Sequence, residues 1–338
     1  MTTVLLYGQP YSKKVGGAEQ FTRLLQKIIP DLVPLYSDSS HFPLLAEPLK
    51  AKEVAEKLGR ELFQLNPHTV IYSGMYGWAL PRTTSYRKIA ICHGTYSSFA
   101  RAAMPWSLDR IRTEFVYSYF EKKSFANADM VISNSTFTRD CLRADYGIES
   151  IPISLATDDQ VFRKKKWKEK KKLGLPDMPI ILFVGRPDHY KGFDIVEKLA
   201  RMHPEWHFVS LTSPRAQSEV VDARDSVPFE ELVEYYHACD AVLFPSRFES
   251  FGYVTIEALM AHKPIVTISF GIAREIVHPY CIVSPSPSLE DYSSSLIRAL
   301  SLPKKASFSE IEKRFSLTRL QKDLQRVFSI EKKGAKSE

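Results

Sequence analysis

Residues Pro179 to Ala200 read PIILFVGRPDHYKGFDIVEKLA, an apolar run, a loop bounded by glycines, and a stretch with Phe193, Val196 and Leu199 at helical spacing. This is one strand–loop–helix unit. Working outward, further β-rich runs follow at Trp206 to Leu211, Ala241 to Phe244 and Pro264 to Ile268. An earlier series precedes it: Val4 to Tyr7, a helix with Phe21, Leu24, Leu25 and Ile28 on one face, then Thr69 to Tyr72, Lys88 to Cys92 and Asp129 to Ser133. Alternation of strands and amphipathic helices is the pattern of a parallel α/β sheet. Because the pattern restarts, two doubly wound domains joined near residues 155 to 178 are expected. The last helix carries Leu317, Leu320, Leu324, Val327 and Phe328 on one face, and the polar tail Glu331 to Glu338 is expected to fray.

The composition suits this reading. The 338 residues are 44% hydrophobic and 25% charged, with 14 Gly and 21 Pro, which excludes disorder, collagen and coiled coil. No apolar run approaches the ~18 residues of a membrane span. The start MTTVLLYGQP has no basic region and no long apolar stretch, so a cytoplasmic location is expected. Cys92, Cys141, Cys239 and Cys281 are far apart, which argues against a disulfide scaffold and a zinc site. The net charge of +7 comes from one decapeptide, Arg163 to Lys172 (RKKKWKEKKK), with eight cations and one anion; the rest holds 38 of each sign. That concentration argues against a sequence-general nucleic-acid binder. The decapeptide reads as a solvated lysine-rich helix, with a peripheral membrane contact aided by Trp167 as the alternative. The stretch Trp106 to Tyr119, with Leu108, Ile111, Phe115 and Tyr119 at helical spacing, reads as core in preference to a membrane anchor.

In open parallel sheets ligands bind beyond the carboxyl ends of the strands, so the loops there hold the chemistry. Gly16 and Gly17 open the first helix, where backbone amides favour an anion, or they simply make a tight turn. His93 and Gly94 follow a strand; the imidazole can bond a substrate hydroxyl or be satisfied by local backbone. The loop from Gly185 to Gly192 carries Arg186 and Lys191, a fork and a point charge suited to a diphosphate, or a solvated basic loop. In FPSRFESFGYVTIEAL, Phe244 to Leu259, Glu249 lies in a loop and Glu257 in the helix after it. Glu257 is followed by Ala258, Leu259 and Met260, a setting in which a carboxylate needs a partner. Ribose hydroxyls, an arginine or backbone amides would each serve. A fifth loop, Ser269 to Glu275, again places a glycine before a helix.

Taken in order, these loops resemble the retaining nucleotide-sugar glycosyltransferases of glycosyltransferase family 4, the glycosyl transferases group 1 class. The most specific match is Glu249-x7-Glu257, then VGRPDHYKG, with GGAE and His93-Gly94 as support. The resemblance implies a GT-B fold, an α/β architecture of two doubly wound Rossmann-like domains facing each other across a cleft. It implies an acceptor-side domain over 1–155, a donor domain over 156–315, and a C-terminal helix over 316–338 that packs back on the first domain. It also implies a nucleoside-diphosphate sugar as donor substrate, with no metal and no further cofactor, since Arg186 and Lys191 neutralise the diphosphate. Glu257 would take the ribose hydroxyls, Glu249 the donor sugar, with Phe251 and Gly252 in the same donor-binding loop. Gly16 or Gly17 would give an amide to the distal phosphate, and His93 would contact the transferred sugar. The acceptor would be a hydroxyl of a glycan, a lipid-linked or a small molecule. The chain departs from the family at Ile153 to Ala156, where Asn-Gly is common, and at Gly271-Ile272, where Gly-Gly is common. Two competing readings are a GT-B epimerase or phosphorylase and a nucleotide-sugar binding protein without turnover. Glu249-x7-Glu257 counts against the first, and the set His93, Arg186, Lys191, Glu249 and Glu257 against the second.

Overall fold

The computed structural model describes residues 2–7, 17–29, 31–37, 46–163, 170–303 and 305–329. The chain divides into two compact units, Met1–Leu155 with the chain from Asp323 on, and Ala156–Lys322. The first holds β1 (Thr3–Tyr7), α1 (Gly17–Ile28), β2 (Leu32–Tyr36), α2 (Ala46–Leu65), β3 (Thr69–Ser73), β4 (Arg87–Cys92), α3 (Tyr96–Ala103), α4 (Leu108–Ile111), α5 (Ser118–Ala126), β5 (Met130–Ser133), α6 (Thr136–Tyr146) and β6 (Ile151–Pro152). The second holds β7 (Ile180–Val184), α7 (Phe193–Met202), β8 (His207–Thr212), β9 (Asp222–Asp225), α8 (Phe229–Ala238), β10 (Ala241–Phe244), α9 (Tyr253–Met260), β11 (Ile265–Thr267), β12 (Cys281–Val283), α10 (Leu289–Ser301) and α11 (Ser309–Arg314). The division of the chain falls within the final helix, α12 (Leu317–Ser329).

The two sheets are parallel throughout, with strand orders β2-β1-β3-β4-β5-β6 and β12-β11-β10-β7-β8-β9. In the second sheet the order reverses between β7 and β10. The loops leaving those two strands therefore flank a topological switch point, where an open sheet leaves a crevice for a ligand. The strands at the centre are buried apolar runs, such as Ile180–Phe183 and Ala241–Phe244. Their helices start on side-chain caps: Thr95 accepts from Ser98 N at 3.2 Å, Ser135 from Thr138 N at 3.0 Å and Ser288 from Asp291 N at 3.1 Å.

Four strands are invisible to hydrophobic patterning, namely β2, β6, β9 and β12, and all four are sheet edges. An edge needs no β-branched run on both faces. It tolerates Pro34 within β2 and the charged sequence Asp222-Ala-Arg-Asp of β9.

The stretch Trp106 to Tyr119 corrects the sequence expectation. It forms α4 and a π-helical turn, Arg112–Tyr117, that leads into α5. Its apolar residues Trp106, Leu108, Ile111, Phe115 and Tyr119 are exposed, while Thr113, Tyr117, Ser118 and Glu121 face inward. Helical spacing specifies a stripe and does not say what covers it. The tail Glu331 to Glu338 and residues 164–169 of the basic decapeptide lie outside the described residues. The decapeptide's end forms a 3-10 turn, Lys170–Leu173, in which Lys170 pairs with Asp240 at 2.7 Å.

Candidate active site

In the second unit the β7 loop is bent by geometry that its glycines permit. Gly192 sits at φ +76° at the start of α7, and a Cβ there would lie 2.3 Å from the Pro245 carbonyl oxygen. No other residue lets the β7 and β10 loops approach so closely. Asp188 Oδ1 accepts from Lys191 N at 2.9 Å and its other oxygen pairs with Arg186 Nε at 3.0 Å. The Lys191 ammonium reaches across to Glu249 Oε1 at 2.5 Å, with side chains only 20% and 13% exposed. Lys191 and Arg186 both lie over the Tyr190 ring, at 4.9 and 5.7 Å. The structure thus gathers Arg186, Lys191 and Glu249 at the switch point.

The β10 loop is held from below by Gly271, whose close approach to the Phe251 and Glu249 carbonyls leaves no room for a Cβ. Ile272 N donates to Phe251 O at 2.8 Å. Phe251 is buried and Gly252 begins α9. One turn into that helix, Glu257 is 4% exposed and accepts from the Tyr236 hydroxyl at 2.8 Å. Burial, and then Glu257 itself, push the Tyr236 hydroxyl far above its ordinary range, so it stays a donor. One partner of the buried carboxylate is therefore a tyrosine of α8, a contact that the local sequence does not suggest.

In the first unit Gly17 is the opening residue of α1, while Gly16 lies outside the described residues. His93 leaves the end of β4. Its ring meets Phe21 edge-on at 5.3 Å, and its backbone carbonyl accepts from Asn134 Nδ2 at 3.3 Å. Among the described residues its Nε2 is buried without a hydrogen-bond partner. Burial lowers its pKa to about 4, so the imidazole is neutral at ordinary pH. Below it, Asp145 accepts from Thr95, from Arg101, and from Ser98 Oγ at 2.6 Å. Glu121 accepts from Tyr96 N at 2.9 Å and Tyr146 Oη at 2.6 Å, and burial raises its pKa to about 8.

Several supporting residues escape sequence reading. Arg247 grips Asp194 with two bonds of 2.9 Å and donates to the His189 carbonyl, locking the β7 and β10 loops together. Burial acts to raise the Asp194 carboxyl, but the Arg247 fork outweighs it and holds the group below its usual range. Arg247 stands inside the quoted FPSRFESFG stretch, yet its partner is 53 residues away and nothing local points to it.

Residues 14–156 fit the family Glycosyltransferase Family 4 and residues 217–314 fit Glycosyl transferases group 1. The solved sucrose-phosphate synthase of Thermosynechococcus elongatus superposes with TM-score 0.78 at 18% identity, covering 97% of this chain and 98% of that one. Anabaena HepE, in complex with UDP and glucose, gives 0.72 at 15% identity, over 98% of this chain and all of the other. The D-inositol 3-phosphate glycosyltransferase of Xylanimonas cellulosilytica is 35% identical over 126 residues, 32% of this chain and 30% of that protein. The chain spans about half the length, or less, of the curated relatives it first matches. Two parallel-sheet α/β units with these neighbours define the GT-B fold. The chain belongs to glycosyltransferase family 4, the glycosyl transferases group 1 class. Among the described residues no helix is long and apolar enough to cross a membrane.

Proposed function

We propose that this chain is a retaining glycosyltransferase that moves a sugar from a nucleoside-diphosphate sugar to an acceptor hydroxyl without a metal ion. The observation that carries the reading is the Lys191–Glu249 pair of 2.5 Å across the switch point of the second sheet, with Arg186 on the same loop. A diphosphate brings concentrated negative charge, and a guanidinium with an ammonium meets it as a cation would. Glu257, buried with Tyr236, receives the ribose hydroxyls, and Glu249 orients the sugar. Gly16 or Gly17 gives a backbone amide to the distal phosphate. In transfer, the bond from the anomeric carbon to the phosphate oxygen breaks and a bond to the acceptor oxygen forms on the same face. The acceptor proton passes to the departing phosphate oxygen. Neutral His93, at the end of β4, contacts the transferred sugar. The neighbour bound to UDP and glucose supports a nucleoside-diphosphate donor, and the name of the D-inositol 3-phosphate glycosyltransferases supports a polyol hydroxyl among the acceptors considered.

A melting-temperature panel of UDP, GDP, ADP, TDP and CDP, each with magnesium and with EDTA, tests this, because a ligand that binds the folded state raises its melting point. The expected result is stabilisation by one nucleotide, equal with and without the metal and lost in Glu257→Ala. No stabilisation by any of the five would overturn the donor site. Stabilisation that vanishes in EDTA would overturn metal independence.

A further inference from the structure

The segment from Trp106 to Lys123 combines features that neither the fold nor the proposed transferase needs. Leu108, Ile111, Phe115 and Tyr119 are all exposed along the run of α4, the π turn and α5, and so form an outward-facing apolar stripe. Leu108 is 85% exposed, Phe115 63% and Tyr119 54%, and Trp106, at the helix entrance, is 74% exposed. The opposite side is anchored: Thr113, Tyr117, Ser118, Glu121 and Phe125 are buried. The π turn is closed by Ser118 Oγ donating to the Thr113 carbonyl at 3.2 Å. The stripe is thus held outward on a fixed helix. A water-exposed stripe of four large apolar side chains with a tryptophan beside it marks an interaction surface.

The charge around the stripe selects its partner. Between residues 101 and 123 stand Arg101, Arg110, Arg112, Lys122 and Lys123. Of these, Arg101 pairs with Asp145, Arg110 with Glu114 and Arg112 with Asp109, and Glu121 faces inward, so the net positive charge of the patch is carried by Lys122 and Lys123. Lys122 and Lys123 follow in α5, and both are exposed. Arg110 lies over the Trp106 ring at 5.0 Å and Lys123 over the Tyr119 ring at 4.5 Å. Long cationic side chains bordering Trp, Tyr, Phe and Leu suit an interface whose interior is apolar and whose rim is anionic. We propose that the outer face of α4 to α5 docks onto the surface of an anionic phospholipid bilayer, with Trp106, Leu108, Ile111 and Phe115 entering the headgroup boundary and Lys122 and Lys123 meeting lipid phosphates. This holds whether or not the transferase reading does, since none of these residues belongs to the donor site.

The test is cosedimentation of the full chain with vesicles of phosphatidylcholine alone and of phosphatidylcholine with one third phosphatidylglycerol. The native protein is expected to pellet with the anionic vesicles and to shift its tryptophan emission to the blue, a shift absent in Trp106→Phe. Leu108→Ser/Phe115→Ser should lower the partition coefficient at least tenfold while leaving nucleotide binding intact. Lys122→Ser/Lys123→Ser should remove the preference for anionic lipid. Failure of the native protein to pellet would overturn the proposal. So would an apolar double variant that pellets like the native chain, which would place the binding elsewhere, for instance in the decapeptide. A native dimer that becomes monomeric in the double variant, without vesicle binding, would make a second copy the occupant and equally overturn it. If the double variant loses its circular dichroism spectrum, the Trp106 emission decides, and an unshifted spectrum on anionic vesicles overturns the proposal.

Discussion

Replacing Lys191 by alanine removes one charge and leaves another facing the proposed ligand. The ammonium is 2.5 Å from Glu249, and the two side chains are 20% and 13% exposed. Broken exposed pairs cost ~0–1 kcal/mol and broken buried pairs ~3–5. This pair lies between, so roughly 1–2 kcal/mol of stability is expected to be lost, or ~2–8 °C in the melting temperature of the second unit. The effect on the donor is larger. A charge-assisted hydrogen bond to a phosphate is worth about 1.5–3 kcal/mol, which is ~10- to 150-fold in Kd. Glu249, stripped of its counter-charge, then repels the diphosphate. Glu249→Gln added to Lys191→Ala should therefore recover part of the affinity, about fivefold, so the two substitutions will not add. Titration calorimetry with the nucleotide that stabilises the native protein measures all four corners of this cycle. Normal affinity and turnover in Lys191→Ala would refute the diphosphate assignment. Additive losses would refute the coupling of Lys191 to Glu249.

Three further outcomes are expected. Gly192→Ala forces a side chain into a left-handed conformation against the Pro245 carbonyl, so urea unfolding should show a loss of ~2–4 kcal/mol, with weaker nucleotide binding. His93→Ala should lower kcat by roughly tenfold to a hundredfold with KM little changed; an equal loss in both would indicate a packing role only. The first unit should also be less stable at both ends of the pH range. His93 has its folded pKa lowered to about 4, so the unfolded chain takes up the proton first and stability is lost as pH falls from ~6.5 towards 4. Glu121 has its folded pKa raised to about 8, so its contribution is present below ~4.5 and is lost as pH rises through 8. Glu121→Gln should flatten the alkaline loss, a few kcal/mol by linkage, in melting curves from pH 5 to 9; an unchanged alkaline limb would sink this assignment.

What the sequence by itself determined is the central architecture. All eight interior strands of the two sheets carry buried apolar runs, because a strand flanked on both sides and covered on both faces meets no water. The candidate residues Arg186, Lys191, Glu249 and Glu257 were legible for a related reason, since glycines and charged residues directly after such runs fall at strand ends. The tertiary structure decided the rest. Edge strands β2, β6, β9 and β12 carry weak patterns because backbone pairing on one side suffices to place them. The partners Tyr236 for Glu257, Arg247 for Asp194 and Glu249 for Lys191 lie 21, 53 and 58 positions apart. Separation along the chain holds no record of such contacts. The stripe from Leu108 to Tyr119 has the same helical period as a core helix, and only the absence of a covering layer distinguishes it. Periodicity reports which side chains share a face, and packing alone determines whether that face meets protein or solvent.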